Sequence, residues 1–130
     1  DPYCICEVVG RPNTKQSTAF IKNNCSPSWN HICEIEDWSP GDTLLFTVWD
    51  KDWCSRDDFL GRCELPLVST EFPEFEGEIK LQQAGRGIEA YLSIRVLAGT
   101  RHERAVRKLR SDLRRTGPGE ADGERLAQML

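Results

Sequence analysis

Residues 29–36 read W-N-H-I-C-E-I-E, and this stretch is decisive for the fold class. Its odd-numbered positions hold Trp, His, Cys and Ile, whereas its even-numbered positions include one Asn and two Glu. Alternation with a period of two predicts a β-strand that turns one face towards a core. The turn residues S-P-G-D at 39–42 follow, and T-L-L-F-T-V-W at 43–49 predicts the next strand.

Working outward, the same pattern predicts further strands at 3–9, 17–22, 59–67, 77–82 and 88–97. Seven short strands with turn residues about every ten positions predict an all-β fold, an antiparallel Greek-key β-sandwich over residues 1–98. Val106, Leu109 and Leu113 recur at steps of three and four, which predicts a short basic helix within 101–115. Residues 99–130 are therefore expected to form a basic helical segment and a flexible tail.

Charge and composition limit the function. The 130 residues suit one domain and a tail, and no run approaches the roughly 18 apolar residues of a membrane-spanning helix. Residues 1–100 carry 9 Lys/Arg against 16 Asp/Glu, which argues against nucleic-acid binding because phosphate neutralisation supplies most of that affinity. The segment 101–115 carries seven Lys/Arg against two acids. It is interpreted as a lipid contact, a site for a protein partner or a solvated linker.

The six cysteines do not form a recognisable zinc-binding pattern. Cys4, Cys6, Cys33 and Cys63 fall in predicted strands, where cysteine behaves as a small buried apolar residue. Disulfide-rich secreted domains are usually shorter. We therefore expect free thiols in a reducing compartment.

The loop D-K-D-W-C-S-R-D-D at 50–58 contains the chemically informative residues. Asp50, Asp52, Asp57 and Asp58 lie within nine residues, and carboxylates so close together repel one another. A hard cation relieves that repulsion, and calcium accepts six to eight oxygen ligands from irregular loops. The alternative is a solvated acidic turn. No nucleophile motif or phosphate-binding Gly-rich loop accompanies it, so no enzymatic activity is predicted.

Four stretches taken together resemble a C2 domain, the calcium-dependent lipid-binding module of protein kinase C and the synaptotagmins. They are D-P-Y at 1–3, S-T-A-F-I-K-N-N-C-S-P-S-W-N at 17–30, T-L-L-F-T-V-W-D-K-D at 43–52 and D-D-F-L-G-R-C-E-L-P-L at 57–67. The resemblance covers roughly residues 1–98. It implies seven of the family's eight strands, with the first strand and one further aspartate lying before Asp1.

The resemblance also implies a set of calcium ligands, namely Asp1, Asp50, Asp52, Ser55 and Asp58. Asp57 is additional to the family pattern. Trp53 and Cys54, at the tip of the loop, correspond to the family's membrane-contacting positions; the alternative for Trp53 is packing against the loop base. Lys15 and Lys22 are candidates for basic contacts to lipid headgroups.

The implied function is calcium-dependent binding to anionic phospholipid membranes by a cytoplasmic, peripheral targeting module of a larger protein. The alternative is a calcium-independent protein-interaction module of a scaffold or trafficking protein. The basic C-terminal helix is a candidate site for a protein partner.

Overall fold

The computed structural model describes residues 1–67, 74–97 and 108–116. Their backbone forms eight strands: β1 (Pro2–Val8), β2 (Arg11–Ser17), β3 (Ser28–Cys33), β4 (Thr43–Asp50), β5 (Asp58–Pro66), β6 (Glu74–Lys80), β7 (Glu89–Leu97) and β8 (Lys108–Thr116). Two four-stranded sheets have the orders β2-β1-β4-β5 and β3-β8-β7-β6. Every strand pair is antiparallel. The predicted all-β antiparallel sandwich is confirmed.

The core lies between the two sheets. Buried and half-buried positions alternate along β1 and along β4 as far as Trp49, as expected for strands with one face against a core. Side chains from both sheets are almost fully buried there: Cys4, Cys6, Val8, Phe46, Val48, Leu92, Ile94 and Leu113. The alternation at 29–36 is also confirmed, because Cys33 and Ile35 are buried and the intervening glutamates are exposed.

The strand directions place the connections at two opposite ends of the sandwich. Pro2 lies opposite Asp50, and Asp50 lies opposite Asp58, so Asp1 and the loop 51–57 share one end. Residues 18–27 join them there, since β2 runs antiparallel to β1. We call this the loop end. The β1–β2 turn at 9–10 and the β3–β4 connection at 34–42 lie at the other end, which we call the turn end.

Strand β2 differs in position from its prediction. The strand occupies Arg11–Ser17 rather than 17–22, because Gly10, with a φ of 83°, turns the chain immediately after β1. Thr14 Oγ1 accepts a hydrogen bond from the Val8 amide at 2.8 Å and holds the hairpin. Apolar content predicted the wrong segment because β2 is a sheet edge, where polar residues and Pro12 are tolerated.

The predicted C-terminal helix is wrong for residues 108–116, which form strand β8; residues 101–107 lie outside the described residues. Residues 109 and 113 are four apart, a spacing that shares one face in a helix and equally in a strand. Strand β8 lies between β3 and β7 and is paired with both. Backbone pairing on two sides outweighs a local helical preference. The sandwich thus includes chain beyond residue 98, its predicted limit.

A backbone bridge connects β5 to the segment after β6. Arg62 N donates to Gln82 O at 3.0 Å, and Gln82 N donates to Arg62 O at 2.7 Å. A Cβ on Gly61 would lie 3.0 Å from the Leu81 Cβ, and its φ of 143° also disfavours a side chain. Glycine at this position therefore permits the close approach of the two segments.

The cysteines behave as apolar core residues where the sequence predicts it. Cys4, Cys6, Cys33 and Cys63 are buried, and all six thiols of the chain are unpaired. Burial raises the pKa of Cys33 to about 11 and that of Cys63 to about 12, which makes these thiols poor nucleophiles at neutral pH. No helix within the described ranges is long and apolar enough to cross a membrane.

Candidate functional site

Asp50 and Asp58 face each other at the loop end, where β4 ends and β5 begins. They are cross-strand partners in the antiparallel ladder. Like charges placed directly opposite one another destabilise a sheet. Asp58 is exposed and, within the described part of the chain, its side chain makes no hydrogen bond or ion pair, so nothing offsets this repulsion on the Asp58 side.

Asp1 lies against Asp50. Its backbone nitrogen is 2.6 Å from Asp50 Oδ1, and its carbonyl accepts the Lys51 amide at 2.9 Å. Asp1 Oδ1 also accepts the Asn23 amide at 2.9 Å, which joins the loop 18–27 to this site. Asp1 thus connects Asp50, Lys51 and Asn23 at the loop end.

Asp52 organises the turn that follows. Its Oδ1 accepts the Cys54 amide at 2.9 Å, and its Oδ2 accepts the Ser55 hydroxyl at 2.8 Å. The hydrogen bond from the Cys54 amide, followed by that from the Ser55 hydroxyl, lowers the pKa of Asp52. Two of the predicted ligands, Asp52 and Ser55, therefore lie in direct contact.

Asp57 has partners both within the loop and on β1. It accepts a hydrogen bond from the Tyr3 hydroxyl and, at 3.0 Å, one from the Asp52 amide. The Lys51 ammonium lies 3.9 Å from its Oδ2. The Tyr3 contact, followed by the Asp52 amide, lowers the pKa of Asp57. Burial, then the contact with Asp57, raises the pKa of Tyr3 to about 12.

The predicted ligands are therefore brought to one end but are arranged in pairs. Asp1 contacts Asp50, Asp50 faces Asp58, and Asp52 holds Ser55. Within residues 1–67, 74–97 and 108–116, no three His, Cys, Asp or Glu side chains are positioned to hold a metal ion together. The chemical type of these donors, carboxylate and hydroxyl oxygen, is the type that calcium prefers.

The tip of the loop is aromatic and exposed. Trp53 is 67% exposed, and Cys54 beside it is also exposed. The Trp53 ring meets Phe20 edge to face, with centroids 5.4 Å apart, so the two loops touch through their aromatic side chains. Phe59 instead packs against Trp49, with centroids 5.2 Å apart. Trp53 therefore contacts the neighbouring loop rather than Phe59 at the loop base.

The basic residues are distributed unevenly between the two ends. Lys22 is exposed within 18–27 at the loop end. Lys15 lies on β2, with its ammonium 3.8 Å from Glu7 Oε2. Arg11 lies at the turn end, where it contacts Asp37 and Asp42. Lys22 thus lies at the same end as the acidic loop, and Arg11 lies at the opposite end.

Three residues of the site were not predicted as such from the sequence. Tyr3 is the third residue of D-P-Y, Phe20 is the one aromatic residue between β2 and β3, and Lys51 stands between two aspartates. Phe20 was a usable signal, because an aromatic residue in a connecting segment requires a packing partner. The contacts of Tyr3 and Lys51 depend on how the loop folds back, which no spacing rule provides.

Comparison with known proteins identifies the family. The model of the C2 domain matches residues 1–82, more than half of the chain. The chain belongs to the C2 domain family. The resemblance seen in its sequence motifs is confirmed, and strands β1–β5 and the acidic loop lie within the matched part of this C2 domain.

Several curated proteins are similar to this C2 domain. Mouse multiple C2 and transmembrane domain-containing protein 2 is 35% identical over 69 residues, 53% of this chain and 8% of that protein. Human extended synaptotagmin-1 is 36% identical over 70 residues, 53% of this chain and 6% of that protein. Mouse intersectin-2 is 36% identical over 70 residues, 52% of this chain and 4% of that protein. The chain therefore spans less than a tenth of the length of these relatives.

Proposed function

We propose that this C2 domain binds anionic phospholipid membranes in a calcium-dependent manner through its loop end, as a cytoplasmic, peripheral targeting module rather than an enzyme. The observation that carries the proposal is the cross-strand pair of Asp50 and Asp58, because two facing carboxylates favour a cation between them. The position of Asp1, whose side chain and carbonyl join the loop 18–27 and Lys51 to the same end, supports it.

The residues that would hold calcium are Asp1, Asp50, Asp52, Ser55 and Asp58, all of which supply oxygen atoms. When bound, calcium supplies positive charge and coordination positions for lipid oxygens. Asp52 and Ser55 would have to turn from their mutual hydrogen bond towards the ion. Asp50 and Asp58 already face each other.

The exposed tip would make the second contact with the membrane. Trp53 and Phe20 present aromatic rings at the loop end, and the indole of Trp53 suits the headgroup region of a bilayer. Cys54 lies beside Trp53 and is exposed with it. Exposed Lys22 adds positive charge for anionic headgroups, whereas Lys15 is partly neutralised by Glu7.

A second candidate function is a calcium-independent protein-interaction module. It is favoured by the engagement of Asp52 and Asp57 with partners inside the loop, because a loop that satisfies its own carboxylates keeps its shape without a metal ion. The earlier candidate for a protein contact, a basic C-terminal helix, does not support it, since residues 108–116 are a strand within the sheet.

Vesicle co-sedimentation distinguishes the two functions. The chain is mixed with phosphatidylcholine vesicles, with or without phosphatidylserine, in calcium or in chelator. Calcium-dependent docking predicts co-sedimentation with the phosphatidylserine vesicles in calcium alone. Equal co-sedimentation in chelator would contradict calcium dependence, and no co-sedimentation under any condition would favour the protein-interaction module.

A further inference from the structure

Lys51 lies between two of the predicted ligands and contacts two different groups. Its ammonium is 3.9 Å from Asp57 Oδ2 and 5.2 Å from the centroid of the Trp53 ring. Its side chain is 34% exposed, so part of its hydration is already lost. One cation therefore links the acidic part of the loop to its aromatic tip.

The acidic partner of Lys51, the Asp57 carboxylate, is held in place by other groups. Asp57 accepts hydrogen bonds from the Tyr3 hydroxyl on β1 and from the Asp52 amide. Both contacts hold the Asp57 carboxylate in place independently of Lys51. The ammonium is thereby directed to a defined point, and its position depends on the negative charge of Asp57.

The position of the Trp53 ring depends on its contacts with neighbouring side chains rather than on burial. Trp53 is 67% exposed, and its ring packs edge to face against Phe20 at an interplanar angle of 78°. A ring so exposed gains little from apolar burial. The contacts with Lys51 and Phe20 therefore contribute much of what restricts its position, and the cation–π contact favours it by about two- to fivefold at an exposed site.

We propose that Lys51 couples the charge of the loop carboxylates to the position of Trp53. While the loop carries uncompensated negative charge, the Lys51 ammonium, 3.9 Å from Asp57 Oδ2 and 5.2 Å from the Trp53 centroid, stays over the ring. When that charge is neutralised, the ammonium leaves the ring, and the exposed indole and the ammonium can each turn towards an anionic lipid surface. The use of this coupling in membrane docking rests on the proposed function; the coupling itself does not.

Nuclear magnetic resonance of the full chain tests the coupling without any metal ion. A methylene group over an indole ring resonates upfield, so the Lys51 Hε signals are expected upfield of the Lys80 Hε signals. Lys80 is the internal reference because its ammonium pairs with Glu89 at 3.7 Å, on the other sheet. Trp53→Leu removes the ring and is expected to abolish the upfield shift. This loss would also show that the Trp53 ring causes the shift.

Asp57→Asn removes the charge while keeping the size of the side chain, and it is expected to remove at least half of the Lys51 upfield shift. Asp37→Asn, at the turn end, is the matched control and is expected to leave that shift unchanged. Coincident Lys51 and Lys80 signals in the wild-type chain would overturn the proposal. A Lys51 shift that Asp57→Asn leaves unchanged would overturn it as well.

Addition of calcium chloride to the wild-type chain separates this proposal from the proposed function. Loss of the upfield shift in calcium, matching that in Asp57→Asn, supports both. If Asp57→Asn releases Lys51 and calcium has no effect on it, the coupling is supported and calcium-dependent function is contradicted.

Lys51→Met is expected to strengthen calcium binding by about two- to fivefold, because it removes a competing cation.

Discussion

The two ends of the sandwich neutralise their carboxylates in different ways. At the turn end, Arg11 contacts Asp37 through Nη1 and approaches Asp42 Oδ2 at 3.3 Å through Nη2. Asn13 adds a hydrogen bond to Asp37 at 2.9 Å. At the loop end, the Lys51 ammonium lies 3.9 Å from Asp57, and Asp58 faces Asp50 across the ladder.

The difference separates a structural group of charges from a group suited to ligand binding. The planar guanidinium of Arg11 engages two carboxylates at once and ties the β1–β2 turn to the β3–β4 connection. An ammonium is a more mobile and more strongly hydrated point charge, which a divalent ion displaces more readily. We therefore expect Arg11 to stay in contact with its carboxylates when calcium is added, and Lys51 to be displaced from Asp57.

The largest expected difference is in calcium affinity. Asp52→Asn is expected to weaken calcium binding by about tenfold or more, since it removes one charge and one strong ligand oxygen. Asp37→Asn, the same change at the turn end, is expected to alter it less than twofold. The 7 residues of β1 separate the ends by roughly 20 Å, about two Debye lengths at 0.1 M salt. Calorimetric titration of both variants at one salt concentration measures the difference.

Asp57→Asn sharpens this test within the loop. Asp57 is committed to Tyr3 and to the Asp52 amide, so its substitution is expected to weaken calcium binding less than Asp52→Asn does. Equal losses from the two loop variants would mean that the loop acts as a diffuse acidic patch without specific ligands.

The second expected difference is in membrane binding by exposed apolar residues. Trp53 is 67% exposed at the loop end, and Val9 is 51% exposed at the turn end. Trp53→Ala is expected to weaken binding to phosphatidylserine vesicles in calcium by about fivefold, because a large ring no longer leaves water. Val9→Ala is expected to have no effect. A comparable loss in both variants would mean that the domain does not orient its loop end towards the bilayer.

How far the sequence predicts these features depends on which interactions control them. The face of 29–36 that enters the core is predicted correctly, because alternation reports burial directly. The placement of the aspartates at one end is equally predictable, since Asp50 and Asp58 terminate adjacent strands. The partners of these aspartates are not predictable from the sequence. The contact of Asp57 with Tyr3 requires the loop to fold back onto β1, and the contact of Lys51 with Trp53 depends on the shape of the loop itself.

Strand β8 shows where prediction from local sequence fails. Its sequence K-L-R-S-D-L-R-R-T carries five charged residues, and a local analysis favours a helix. Its structure is determined by partners distant in sequence, since nine of its residues pair with β7 and the chain also pairs with β3. Leu113, fully buried, is the one side chain whose packing the structure describes. Non-local pairing of this kind leaves little trace in periodicity.

The third expected difference is in the direction in which a substitution shifts the melting temperature at each end. Arg11→Met is expected to lower the melting temperature of the metal-free chain by a few degrees, because Asp37 and Asp42 lose their shared partner. Asp58→Asn is expected to raise the melting temperature slightly, because it relieves the repulsion with Asp50 by a few tenths of a kcal/mol. Thermal unfolding in chelator measures both, and a decrease in both variants would remove the distinction between the ends.

The smallest expected effect is a response to acid that the two ends share. Hydrogen bonds from Asn13 and Arg11 lower the pKa of Asp37, and those from Tyr3 and the Asp52 amide lower the pKa of Asp57. A carboxyl group whose pKa is lower in the folded chain stabilises the fold at pH values above its unfolded pKa, about 3.9. That stabilisation is lost as the pH falls through the folded pKa. These two groups are therefore expected to leave the melting temperature unchanged between pH 7 and 5 and to lower it below about pH 4.

Asparagine does not titrate, so Asp37→Asn and Asp57→Asn are each expected to show a smaller decrease in melting temperature between pH 5 and pH 3 than the wild-type chain. Melting curves recorded in chelator measure this decrease. Ser39→Ala, which leaves both carboxylates in place, serves as the control and should keep the wild-type decrease. Because neutral donors are the first cause of the lowered pKa at both ends, the two aspartate variants should behave alike, unlike their calcium affinities. A variant that retained the full wild-type decrease would show that its carboxylate has no stabilising partner in solution.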